Sequence, residues 1–137
     1  MKNTLKFFGI IAVVAVIGFT TLGCVSTTPT NVNTSLDGVW NRGDIVITIS
    51  GNNGIFTQIN SGNWLASKNN GTINIGDQKL KNIAQVGNLR WTAQNLSSDA
   101  NDHSIRDWKN CTITMSSNGR TIRLETQDFS PTTYTRM

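Results

Sequence analysis

Trp108 to Gln127 reads WKNCTITMSSNGRTIRLETQ. Cys111, Ile113 and Met115 alternate with polar residues, and Ile122 and Leu124 do so again beyond Ser117-Asn118-Gly119-Arg120. Alternation with a period of two turns one face to a core and the other to water, so Arg123 and Glu125 are expected outside. Asn-Gly between two such runs is the chemistry of a tight β-hairpin, because both residues accept positive φ.

The same unit recurs through residues 36–137. Leu36-Asp37-Gly38-Val39-Trp40 opens the series. Ile45 to Ser50 (IVITIS) alternates, Gly51-Asn52-Asn53-Gly54 turns, and Ile55 to Asn60 (IFTQIN) returns. Ser61 to Gly71, around Trp64 and Leu65, is expected to be a loop or a single helical turn. Thr72 to Ile75 is expected as a short strand and Gly76-Asp77 as a turn. Gln78 to Val86 (QKLKNIAQV) fits less well. Leu80, Ile83 and Val86 recur every three residues, as in a helix, yet no cap supports one, so a strand or irregular segment is expected. Leu89 to Leu96 (LRWTAQNL) alternates again, with Trp91 among the inward residues. Ser97 to Asp107 (SSDANDHSIRD) is the most polar interval and reads as a loop. Thr132 to Met137 forms the last strand after Ser130-Pro131.

About eight short strands joined by Gly/Asn turns, with no long helix, predict an all-β domain. A small antiparallel up-and-down barrel is favoured, because closure leaves no open edge on a small domain.

The residues before this domain have a different character. Lys2 and Lys6 precede an apolar run, Phe7 to Phe19, and then Thr21-Leu22-Gly23-Cys24. A basic end, a short apolar core and a small residue at the cut make up a secretory signal, helical in its core. As a membrane-spanning helix the run would cover roughly 20 Å, short of the ~30 Å hydrocarbon layer. Val25 to Ser35 (VSTTPTNVNTS) has no apolar period and reads as a flexible stalk. The expected division is therefore a signal over 1–23, a stalk over 24–35 and a barrel over 36–137.

Gly23-Cys24 resembles the lipobox of bacterial lipoproteins, with Thr21 standing where an aliphatic residue is usual. The resemblance implies that Cys24 is acylated and becomes the first residue of the mature chain. Several acyl chains would anchor it stably to a membrane. By the same resemblance, Val25 in place of aspartate implies the outer membrane or the cell surface of a bacterial envelope.

Gly38-x-Trp40 with Arg136 in the last strand resembles the lipocalin and wider calycin pattern. That resemblance implies an arginine stacked on an indole that closes one barrel end, with Tyr134 on the same strand face as Arg136. The chain is shorter than a typical lipocalin, which implies a shallower barrel. An eight-stranded barrel is just wide enough to be filled by side chains or to hold one small ligand, and the functional reading is an aromatic-lined pocket for a small apolar molecule, with Trp64, Trp91 and Trp108 as the candidate contributors. Large aromatics also fill cores, so these indoles have a plain packing role as the alternative.

Charge narrows the partners. The chain has twelve Lys+Arg and eight Asp+Glu, and without Lys2 and Lys6 the balance is ten to eight. With no basic run, nucleic acid is not an expected partner. Cys24 and Cys111 are the two cysteines; with Cys24 acylated, Cys111 is expected as a small buried core residue. His103 among Asp99, Asp102 and Asp107 falls short of a zinc site, which needs three or four ligands at set spacing. Asp44 and Asp77 read as turn residues. No catalytic constellation, cofactor or metal is expected. The leading expectation is a non-catalytic envelope lipoprotein that binds a small apolar ligand. The alternative is a filled barrel that contacts an envelope or host protein, inhibitor-type binding included.

Overall fold

The computed structural model describes residues 34–98 and 106–137. The signal, Cys24, most of the stalk and His103 with Asp99 and Asp102 lie outside the described residues. Eight strands follow in order: β1 (Gly38–Asn41), β2 (Ile45–Ser50), β3 (Asn53–Ile59), β4 (Gln78–Gly87), β5 (Arg90–Ser98), β6 (Arg106–Met115), β7 (Thr121–Thr126) and β8 (Thr132–Arg136). One helix, α1 (Gly62–Asn69), sits between β3 and β4. Each strand pairs antiparallel with the next, and β8 returns to β1 through Trp40 opposite Arg136, so the sheet closes as an up-and-down barrel.

The alternating positions fill the inside. Trp40, Ile47, Ile49, Phe56, Leu80, Trp91, Ile113, Ile122, Leu124 and Tyr134 form one buried cluster. Cys111 joins it, and burial pushes its thiol up to about 11, against the partial opposition of the nearby Lys79. The β6–β7 hairpin forms where Asn-Gly predicts it. Gly119 takes φ +69, and the Asn118 side-chain oxygen accepts from the Arg120 amide.

Several local expectations need correction. Ser61 to Gly71 contains a full eight-residue helix, because Trp64 packs its ring 5.1 Å from that of Phe56 and holds the segment to the barrel. Thr72 to Ile75 is not a strand; the Asp77 amide turns back to the Asn74 carbonyl, and Gly76 and Asp77 exchange hydrogen bonds with Phe56. Asn53 and Gly54 already belong to β3 rather than to the turn. Ser97, Ser98, Arg106 and Asp107 extend β5 and β6 instead of lying in a loop.

The three-residue spacing in 78–86 has a strand explanation. Between Lys81 and Ala84 the register with β5 slips by one residue, and Asn82 takes φ +54. A β-bulge inserts an unpaired residue and restarts the alternation one position late. Leu80 and Ile83 are therefore both buried although three apart. A second slip lies at the head of the strand: Gly54 faces Leu80 while Ile55 faces Gln78, which leaves Lys79 as the extra residue. Gly54 leaves room beside it, since a Cβ there would sit tightly, 3.2 Å from the Leu80 Cβ and 3.3 Å from Ile49.

Candidate functional site at the open mouth of the barrel

The two barrel ends differ in chemistry. At one end the Arg136 guanidinium lies 4.2 Å from the centre of the Trp40 ring. Its nitrogens donate to the carbonyls of Asp37 (2.8 Å), Ser35 (2.6 Å) and Gly119 (2.9 Å). The Trp40 indole donates to the Leu36 carbonyl at 2.9 Å. Gly38 has φ +144, and a Cβ there would come within 2.7 Å of an Arg136 nitrogen. Gly-x-Trp and the distant arginine thus form one plug. Tyr134 is buried on the same strand, but its ring carries a different cation, Arg42, at 5.6 Å. Burial, which outweighs the attraction of Arg42, pushes the Tyr134 hydroxyl up to about 12.

The other end is open. The β1–β2 turn, α1, the start of β4, the end of β5 and the β7–β8 turn surround a cavity of ≈ 390 Å³. Small-molecule sites are commonly of about this size, roughly 300–1,000 Å³. Trp64, Leu96 and Phe129 supply apolar wall; Asn95, Ser97, Thr126 and Thr132 supply hydrogen-bonding groups. On the rim, Arg42 Nε donates to Asp44 Oδ1 at 2.6 Å, and the second pair of atoms also meets. Burial works against the Asp44 carboxylate, yet the Arg42 hydrogen bond and charge hold it below the usual range.

Lys79 reaches this cavity from inside the wall. Its position in the bulge is the reason: an inserted residue turns its side chain to the same side as its neighbour, so Lys79 and Leu80 are both inward. Lys79 is 2% exposed. Its Nζ donates to Asn95 Oδ1 and to the Leu96 carbonyl, and it lies 4.5 Å from the centre of the Trp64 ring. Asn95 Nδ2 donates to Thr126 Oγ1 at 2.8 Å, which turns the amide oxygen towards the lysine. Among the described residues no carboxylate pairs with Lys79. Burial, with the Arg42 charge nearby, lowers its pKa to about 7.

The three candidate tryptophans separate. Trp64 lines the mouth. Trp91 is buried in the core opposite Ile113 and takes no part in the mouth. Trp108 is half-buried, paired with Leu96 and packed against the edge of the core cluster, with Lys81 Nζ 4.0 Å from its ring, and does not line the mouth. Sequence reasoning missed Lys79, and it read Asp44 as a plain turn residue. The available signal for Lys79 was the broken alternation of QKLKN beside Gly54. Among the described residues no group of three metal-ligating side chains comes together. No helix there is long and apolar enough to cross a membrane.

Architecture and site define a class: a closed eight-stranded antiparallel barrel with one plugged end and one polar-floored mouth. No family model matches the chain, and no curated protein or solved structure matches it significantly.

Proposed function

We propose that this chain is a lipid-anchored envelope protein whose lipocalin-like barrel holds a small ligand in its open mouth. The observation that carries the binding half is the ≈ 390 Å³ cavity, apolar at Trp64, Leu96 and Phe129 and polar at Lys79 and Asn95. The barrel interior is packed with side chains, so the ligand sits over the core rather than within it. It pairs an apolar body with one polar head, which is narrower than the purely apolar ligand expected from sequence. The Trp40–Arg136 plug and closed topology support the lipocalin-like reading. The leader and Gly23-Cys24 support the anchor.

Titration of the extracted protein with small amphiphiles, followed by tryptophan emission, tests the site. A spectral change that disappears in Trp64→Phe and persists in Trp91→Phe is the expected result. No change with any ligand removes the reading. Mass spectrometry of the same material tests acylation at Cys24.

The filled interior also favours a second reading, a non-catalytic interaction lipoprotein that contacts an envelope or host protein through its loops. A silent titration together with saturable capture of a purified envelope protein would favour it.

A further inference from the structure

Lys79 has a feature that plain ligand binding does not require. The mouth could be floored by any polar side chain, yet the fold spends a β-bulge on placing a primary amine there. That amine is held by two neutral oxygens, Asn95 Oδ1 and the Leu96 carbonyl, and not by a carboxylate among the described residues. Two acceptors match the two hydrogens of a neutral amine and leave its lone pair uncommitted. The centre of the Trp64 ring lies 4.5 Å from the amine, and Lys79 is buried from solvent. Arg42 adds a second positive charge on the rim. A lysine removed from water next to another cation is the environment that makes the amine a nucleophile.

We infer that the mouth captures small aldehydes or ketones, and that Lys79 Nζ binds them covalently and reversibly as an imine. This rests on the mouth being a ligand site, as proposed above. The nitrogen lone pair adds to the carbonyl carbon, and the carbonyl oxygen takes up a proton to give a carbinolamine. The hydroxyl then leaves as water with the remaining amine hydrogen, and the C=N bond forms. Amine and carbonyl compound become imine and water, with no change of oxidation state and no further reactant. The Thr126 hydroxyl lines the same cavity; its oxygen accepts from Asn95, which leaves its hydrogen to bond the carbonyl oxygen as that gains charge. Burial lowers the Lys79 pKa to about 7, so near neutral pH a far larger share of this amine is neutral than of a free lysine.

The test uses the full chain, benzaldehyde as probe and cyanoborohydride to trap the imine at pH 7. Benzyl alcohol, the same size but unreactive, reports on the cavity through tryptophan emission. The expected result is one benzyl group per chain, mapped to Lys79 and at least about tenfold more abundant there than at Lys68 or Lys81, which lie outside the cavity. Asn95→Asp should abolish the adduct at Lys79, because a carboxylate beside Lys79 keeps it charged. Benzyl alcohol binding with Lys79 labelled no more than Lys68 overturns the imine and leaves the ligand site standing. No emission change and no selective label overturns both.

Discussion

Lys79 Nζ lies 4.5 Å from the centre of the Trp64 ring, so a buried amine and the aromatic wall of the barrel mouth form one contact. The contact joins a residue from a β-bulge to a residue from the single helix. Neither side chain has a role in closing the barrel, and both face the cavity.

The buried amine predicts a pH dependence of stability. Lys79 has its pKa lowered by folding, so between about 7 and the free-lysine value the unfolded chain binds more protons. Stability then rises with pH in that window, and the cost of the buried charge is fully present below it. From pH 6.5 to 8.5 the gain should be about 2 kcal/mol, and Lys79→Met should lack it. Above about pH 9 the buried Cys111 and Tyr134, both raised, reverse the trend. Urea midpoints of the two proteins across the window measure this; parallel curves would place Lys79 in water.

The plug predicts two losses. Gly38→Ala meets the Arg136 guanidinium at 2.7 Å and forces an L side chain to φ +144. Since three carbonyls hold the guanidinium, it cannot swing away freely, and the cost should be about 2 kcal/mol. Arg136→Lys keeps the charge but cannot reach three carbonyls while lying flat on Trp40, and should cost about 1–2 kcal/mol. Denaturant unfolding followed at Trp40 checks both.

Cys111 is 5% exposed with its thiol raised, so it should resist a disulfide reagent at pH 8 in the folded protein. After unfolding it should react fully. The unfolded, membrane-extracted chain should then yield one thiol if Cys24 is acylated and two if it is not. The count therefore checks the proposed anchor without reference to the barrel.

The rim pair predicts a change at the mouth. Asp44→Asn leaves Arg42 without its carboxylate and removes a negative charge that favours the Lys79 ammonium. The pKa of Lys79 should fall further, and the rising limb of stability with pH should move to lower pH. An unmoved limb would show that Arg42 and Asp44 act independently of the lysine.

Much of this fold was legible in the strands themselves. WKNCTITMSSNGRTIRLETQ specifies a hairpin by alternation and Asn-Gly alone, and Cys111, Ile113, Ile122 and Leu124 are buried as that pattern requires. Gly38, Trp40 and Arg136 also meet as their resemblance to the calycin pattern implied. In 78–86 the same rule misled, because it assumes an unbroken ladder. Three inserted residues reset the alternation, and their positions depend on which partner strand lies alongside. Trp91 and Trp64 look alike in sequence, yet one fills the core and the other faces the mouth.

The sequence by itself determined the period of the strands, the sites of the turns and the composition of the core, since these depend on each residue and its near neighbours. Tertiary structure alone decided that Lys79 lies inside the wall, that Tyr134 pairs with Arg42, and that the cavity opens at one end. Those outcomes depend on register between strands far apart in the chain. A slip of one residue there turns a side chain from water to interior without altering a single local preference.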